Sequence, residues 1–212
     1  MKISKLGLRR AFAATAVAAV AAVGLSSLSA GGAAAEALPN GFKKVTGVDG
    51  QVVQIWRTGE YAFAQPSTAN NGAGRSVRVS GTYTATVNKG GGDVEVGYLV
   101  GCQVSVTGLD AGVSGSLSAS SASVGGSISF PLAPGEIKKV YVDDNTFTKD
   151  KHVMSIQLSG TEIDVQGCAG YAQARSYVKV LAANGYNTDA GAVNGSSGAV
   201  QATLYGKPFS LG

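Results

Sequence analysis

Histidine is nearly absent from this chain, which contains one, His152, among 212 residues. No G-x-S-x-G turn, Walker loop or G-x-G-x-x-G motif leading into a helix is present. The cysteines, carboxylates and His152 also match no metal-ligand spacing. These absences exclude the commonest hydrolase, nucleotide-binding and metalloenzyme patterns, so we expect a protein that is not an enzyme and has no cofactor or metal.

Acidic residues are absent before Glu36, whereas Lys2, Lys5, Arg9 and Arg10 are basic. An Ala/Val-rich run and the small residues 31–35 follow them. A basic start, an apolar run and a small-residue site predict a secretory signal peptide over residues 1–35, with cleavage after Ala35 or, alternatively, after Ala30. An uncleaved anchor is the other interpretation, and the export route, general or twin-arginine, stays open. No cysteine lies near the cleavage region, which argues against a lipoprotein.

The formal charge of +4 belongs entirely to the four basic residues of the predicted signal peptide. The remaining residues, 36–212, balance acids against bases, so the basic character typical of nucleic-acid-binding proteins is missing and we expect no such partner. Their number suits a single domain.

Cysteine occurs only twice, as Cys102 and Cys168. An even number of cysteines in an exported chain favours a disulfide between them. Two buried free thiols are the alternative.

Helical periodicity is missing from every long segment, and alternation of apolar and polar residues replaces it. The clearest cases are 77–87 and 94–106, separated by Asn88–Gly92. We expect these two strands to pair as an antiparallel hairpin. Shorter strands are predicted at 52–57, 137–142, 153–158, 162–165, 171–181 and 199–205.

Turn residues are predicted to separate the shorter strands, at 143–145 and at Ser159-Gly160. Residues 183–198 are rich in Gly, Asn, Ala and Ser and predict a flexible loop. Many short strands with frequent turns predict an all-β protein, an antiparallel sandwich or barrel.

Charge is absent from residues 113–132, where serine alternates with apolar or small residues in two arms of about nine residues each. That is close to the length a tilted strand needs to cross a bilayer. We therefore predict a membrane-spanning hairpin, the stem, over 112–133. Its pore-lining residues would be Ser114, Ser116, Ser118, Ser120, Ser121, Ser123, Ser127 and Ser129. Its lipid-facing residues would be Val113, Leu117, Val124, Ile128, Phe130 and Leu132. A flexible Gly/Ser loop and a half-exposed hairpin of a soluble sandwich are the alternatives.

Two strands alone would leave unpaired backbone groups in hydrocarbon at both edges. If the stem spans a membrane, several subunits must therefore each contribute one hairpin to a common barrel.

Three stretches resemble the MspA-like porin family: Gly97–Gly101 followed by the Gly/Ser-rich hairpin, the strand 171–182, and Thr203–Phe209, which matches a closing T-x-Y-G-x-P-aromatic motif. The resemblance implies a goblet-shaped homo-oligomer, an octamer in the best-known member, with a β-sandwich rim domain and a stem of paired strands. It also implies residence in the mycolic-acid outer membrane, contact with its lipid, and passive uptake of small hydrophilic solutes and ions. A secreted or cell-wall-associated β-sandwich that binds a partner without conduction is the alternative.

The tip of the predicted hairpin departs from that family. Residues 120–123 are Ser-Ser-Ala-Ser, whereas the best-known member carries clustered aspartates there. We therefore expect weak charge selectivity. Asp110, Asp143 and Asp144 are either vestibule residues or ordinary solvated loop acids.

Overall fold

Alternating residues from two β-sheets build the core of the protein. The computed structural model describes residues 35–67, 72–103, 127–131, 135, 137–168, 170–194 and 198–212. These residues form β-strands and no helix: β1 Ala35–Ala37, β2 Gly41–Thr46, β3 Val52–Gln65, β4 Arg75–Val87, β5 Gly91–Cys102, β6 Ser127–Pro131, β7 Ile137–Phe147, β8 Val153–Gln166, β9 Ala172–Ala183, β10 Tyr186–Asn187, β11 Ala192–Val193, β12 Ala199–Tyr205 and β13 Phe209–Ser210.

The strands are shared between two principal sheets. Sheet A has the order β1-β3-β4-β8-β6, with β2 also on β3, and sheet B has the order β12-β9-β5-β7, with β13 also on β9. β10 and β11 form a small hairpin within the predicted 183–198 loop. Every described pair is antiparallel except β6 with β8. The predicted all-β, largely antiparallel fold is thus confirmed. Within the described ranges no helix is long and apolar enough to cross a membrane.

The core lies between the facing surfaces of sheets A and B. Its fully buried side chains include Val53, Ile55, Val77, Tyr83, Val94, Val96, Tyr98 and Phe147. Removing each such side chain from water contributes roughly 1.5–3 kcal/mol. The alternation therefore identifies correctly which face of β4 and of β5 is buried.

The predicted hairpin between 77–87 and 94–106 is wrong. β4 pairs with β3 and β8 in sheet A, whereas β5 pairs with β7 and β9 in sheet B. The chain between them crosses from one sheet to the other through Gly90, whose φ of 81° is a conformation that favours glycine. Alternation marks the buried face of a strand but carries no information about which strand it pairs with. β4 and β5 therefore both bury their apolar faces in the core, although they belong to different sheets.

The predicted turns at Ser159-Gly160 and 143–145 are also wrong, because strands β8 and β7 continue through them. β8 shifts register there, with Gly160 at φ 68°, and its buried positions change from even numbers (154, 156, 158) to odd ones (161, 163, 165). Such a bulge places one extra residue in a strand and turns the following side chains over. The turn-forming residues therefore bend strands here without ending them.

Sequence reasoning missed β1 and β2. β2 pairs with the first half of β3 and β1 with its second half. Both are short edge strands, and most of their side chains are exposed. Lacking a strongly alternating apolar face, they gave no signal in the sequence.

A buried ion pair lies beneath the C-terminal T-x-Y-G-x-P motif. Arg57 Nε is 2.6 Å from Glu60 Oε2, and both side chains are almost completely buried. Tyr83 donates a hydrogen bond to Glu60 (3.1 Å), and its hydroxyl also meets that of Tyr98 (2.8 Å). Burial raises the pKa of Glu60, although its polar neighbours and Arg57 oppose the shift. A buried charge needs such partners to be tolerated.

Gly206 allows the chain to pass closely over this pair. Its N–H donates to Ser176 O at 2.8 Å, and a Cβ at this position would lie 3.2 Å from Arg57 Nη1. Phe209 then packs edge-on against Tyr98, with ring centroids 6.1 Å apart. The closing motif therefore has a structural role, which is to cover the polar interior of the sandwich.

Gly97, in the Gly97–Gly101 motif, accommodates an aromatic ring on the outer face of sheet B. A Cβ here would lie 2.6 Å from Tyr177 Cζ and still closer to the backbone oxygen of Val140. Tyr177 is only 2% exposed although it points away from the core. Glycine is therefore required by close packing.

We predict that Gly97→Ala destabilises the protein by about 1–3 kcal/mol, because the ring of Tyr177 and strand β7 must both move away from the added methyl group. Thermal or urea denaturation followed by circular dichroism measures this. Gly41→Ala is the matched control, because the atoms nearest to its Cβ would belong to the side chain of Arg57, at 3.4 Å and beyond, an ordinary contact distance. Equal stability of the two variants would contradict the packing argument.

Candidate functional site

The predicted stem departs from one end of sheet B. β5 ends at Cys102 and β7 begins at Ile137, and Gly101 pairs directly with Ile137. Adjacent antiparallel strands need only a two-residue connection. The segment between them is therefore a long insertion into the β5–β7 pair, and it leaves and re-enters the sandwich at the same place. We call this place, formed by Cys102, Gln103, Gly135, Ile137, Cys168 and Tyr171, the stem root.

Backbone hydrogen bonds fix both sides of the stem root. Gln103 donates to Tyr171 O at 2.9 Å, and Gly135 donates to Cys102 O at 3.1 Å. Gly135 has a φ of 71°, which favours glycine where the returning chain turns. The departing and returning chains are thus both held against β5 and the segment leading into β9.

A disulfide between Cys102 and Cys168 links the two sheets at the stem root. Cys102 is the last residue of β5 in sheet B, and Cys168 follows β8 in sheet A. Their Cα atoms are 6.0 Å apart, and the residues are 3% and 0% exposed. The pairing expected from cysteine count and export is therefore the one in the structure.

The structure describes only part of the predicted stem. Residues 127–131 form β6, which lies beside β8 with Ile128 opposite Ile163. Ile128, predicted to face lipid, is half-buried and packs against the core of the sandwich. Ser127 and Ser129, predicted to line the pore, and Phe130, predicted to face lipid, also lie on β6. The remaining predicted positions lie outside the described residues: Val113, Ser114, Ser116, Leu117, Ser118, Ser120, Ser121, Ser123, Val124 and Leu132.

A cluster of charged groups surrounds Tyr177 on the outer face of sheet B. Tyr177 donates to Glu95 at 2.5 Å, and Lys139 lies 2.6 Å from the same carboxylate. Lys179 lies 4.0 Å from it, and the Lys139 ammonium is 4.9 Å from the Tyr177 ring centroid. Although burial acts in the opposite direction, these partners hold the pKa of Glu95 below its usual range.

Asp93 lies beside this cluster, where its acidic neighbours outweigh the one lysine that acts on it. Burial, followed by the nearby charges of Asp144 and Glu95, raises the pKa of Asp93 to about 6, with only Lys179 opposing. Asp144 accepts a hydrogen bond from Tyr141. Asp143 and Asp144, predicted as turn residues, lie on β7. Asp110 lies outside the described residues.

Sequence reasoning missed this outer-face cluster. Glu95 is one of the polar residues that alternate with Val94 and Val96, and alternation marks it only as outward-facing. Lys139 and Lys179 reach it from strands β7 and β9 on either side. The missing information was the strand order, which brings three separate parts of the sequence side by side.

The model of one protein family, MspA, matches residues 49–210. That range includes every strand from β3 to β13, and therefore all of sheet B, sheet A apart from β1 and β2, the stem root and the outer-face cluster. No curated protein matches the chain.

We predict that the double variant C102A/C168A loses about 4 kcal/mol of unfolding free energy, because the cross-link closes a 66-residue separation in the unfolded chain. Urea denaturation of oxidised wild type and variant measures this. The single variant C102A should lose a similar amount, since one cysteine cannot form the bond. An unchanged midpoint in both variants would contradict a stabilising disulfide.

We predict that Asp93→Asn stabilises the protein at pH 7.5. Because its pKa is raised in the folded protein, Asp93 binds a proton more tightly there than in the unfolded chain. Its contribution to folding stability is therefore fully present below about pH 4 and is lost as the pH rises through 6. Because Asp93 is only partly buried, solvent screening reduces the expected gain to about 1 kcal/mol.

The measurement is denaturation at pH 3.5 and pH 7.5. The gain should be present at pH 7.5 and absent at pH 3.5. Asp150→Asn, which removes a carboxyl from an exposed turn, is the control. A gain of the same size at both pH values would contradict this account of Asp93.

Proposed function

The chain belongs to the MspA family, and we propose that it is a channel-forming porin subunit. In this proposal residues 1–35 direct export, and the mature subunit resides in the mycolic-acid outer membrane. Small hydrophilic solutes and ions diffuse passively through the channel, and no catalytic step is involved.

The observation that carries the proposal is the position of the uncharged segment. Residues 113–132 alternate serine with apolar or small residues and lie in an insertion between paired strands β5 and β7. A hairpin that extends this strand pair would place two antiparallel arms side by side beyond the stem root. Hydroxyls on one face suit a water-filled lumen, and apolar residues on the other suit lipid.

A second copy of the chain is the required partner. One hairpin has two open edges, and in hydrocarbon each unpaired backbone group costs several kcal/mol. Neighbouring hairpins in a closed ring pair those edges. We propose a homo-oligomer for this reason, and the family resemblance suggests an octamer.

Weak charge selectivity follows from the tip of the hairpin. Residues 120–123 carry hydroxyls and one methyl group but no charge. Hydroxyls can hydrate ions of either sign without producing a large field. The conducting path would therefore lack the ring of charged side chains that makes a pore strongly selective.

The test is planar-bilayer recording on detergent-extracted or refolded protein. Discrete current steps are expected, and deletion of residues 113–132 should abolish both the steps and a detergent-resistant oligomer. A soluble monomer that produces no steps and does not partition into membrane would contradict the proposal. It would favour the alternative of a secreted or wall-associated binding protein.

We predict that S121D/S123D increases the preference for cations, because a ring of acidic groups at the tip attracts cations and repels anions. Reversal potentials in a salt gradient should shift toward the cation equilibrium potential by a clearly measurable amount, on the order of 10 mV or more. Ser155→Asp, on the exposed outer face of β8, adds a carboxylate away from the predicted pore and serves as control. Equal shifts in both variants would place residues 121 and 123 outside the conducting path.

A further inference from the structure

Strand β6 is unusual in its direction. It runs parallel to β8, with Ser127 opposite Glu162 and Pro131 opposite Gln166. All other described strand pairs are antiparallel. Since β8 ends at Gln166, just before Cys168, β6 approaches the stem root along the side of the sandwich.

A returning arm of the stem must approach from the opposite direction. If residues 124–132 came back from a membrane beyond the stem root, they would reach the root from outside the sandwich. In the structure, residues 127–131 reach it from alongside β8 instead. The same five residues cannot take both paths at once. The position in this single chain and the position in an extended stem are therefore mutually exclusive.

β6 is held by contacts that can be replaced. It is five residues long and lies at the edge of sheet A, and parallel pairing is slightly weaker per residue than antiparallel pairing. Leaving β8 would break these backbone hydrogen bonds, and pairing with another hairpin would form new ones. While β6 is in place, it covers an edge of the 14-residue strand β8 that could otherwise pair with another chain.

Ile128 makes the release dependent on an apolar environment. Its side chain packs against the core next to β8. Moving it into lipid exchanges one apolar environment for another, whereas moving it into water loses the transfer free energy of the part of the side chain that is buried. Burial of Ile128 therefore stabilises the docked strand in water, whereas no comparable free energy is lost when the strand leaves β8 for lipid.

We propose that β6 is a displaceable strand that retains the returning arm of the stem on the sandwich of the single subunit, and that it must leave β8 before a channel forms. The inference rests on the proposed channel function and adds a conformational step to it. Its recognisable consequence is that a covalent link between β6 and β8 blocks channel formation while leaving the sandwich folded.

The experiment uses S127C/E162C, which places a cysteine pair at directly opposed positions of β6 and β8. Oxidation of the soluble monomer before it meets membrane should close this link. T84C/S155C is the matched control, because those residues pair β4 with the same strand β8 and their hydroxyls are 3.0 Å apart. The single variants S127C and E162C cannot form the link and serve as references. A reducing agent, which would also break the native disulfide, is therefore not needed for the comparison.

We expect both double variants to form their link, as seen by mass spectrometry of peptides. Linked S127C/E162C should give at least tenfold fewer channel insertions than either single variant, and linked T84C/S155C should match wild type. The inference would be overturned, and the channel proposal left standing, by either of two results. One is normal insertion by linked S127C/E162C, and the other is failure of this pair to link while the control pair links. Absence of current steps from wild type would instead overturn the channel proposal and, with it, this inference.

Discussion

The disulfide between Cys102 and Cys168 joins the two sheets at the end of the sandwich where the uncharged segment departs. Without that link, sheets A and B would be held there mainly by side-chain packing, and the insertion between β5 and β7 would leave from a less constrained end. The bond closes a long stretch of chain, and both residues are buried. It therefore restricts the unfolded chain and fixes the geometry from which any stem must extend.

The second constraint is polar and lies inside the sandwich. Arg57 and Glu60 form a buried pair between the sheets, and the close passage of the chain at Gly206 covers it. Glu60 faces inward because the register between β3 and β4 shifts between Thr58 and Tyr61. A bulge, an ion pair and a glycine distant in sequence thus depend on one another. This explains physically why the closing motif has glycine at position 206.

Alternation in the sequence predicted β4 and β5 and their buried faces, because burial of one face is a local property of a strand. It did not predict that β4 and β5 lie in different sheets, because partner choice depends on contacts across the core. Asp143, Asp144 and Gly160 have the chemistry of turns, but β7 pairs with β5, and β8 with β4, both before and after these residues, so the strands continue through them with a shift in register. The cluster around Glu95 was equally hidden, since its members come from three strands. The pairing of Cys102 with Cys168, by contrast, followed from the cysteine count.

The absence of charge from residues 113–132 is compatible with two different environments. A charged residue in this segment would favour water strongly, because transfer of an unpaired ion to a medium of low dielectric constant costs many kcal/mol. Serine and small apolar residues carry no such penalty, so the same segment can rest on a protein surface or meet lipid. What then distinguishes the two states is backbone pairing and the environment of side chains such as Ile128, which is half-buried against the core here. Both contributions are modest for a five-residue edge strand, so under the proposal above the balance between a docked and an extended β6 would be set by whether neighbouring hairpins and lipid are present.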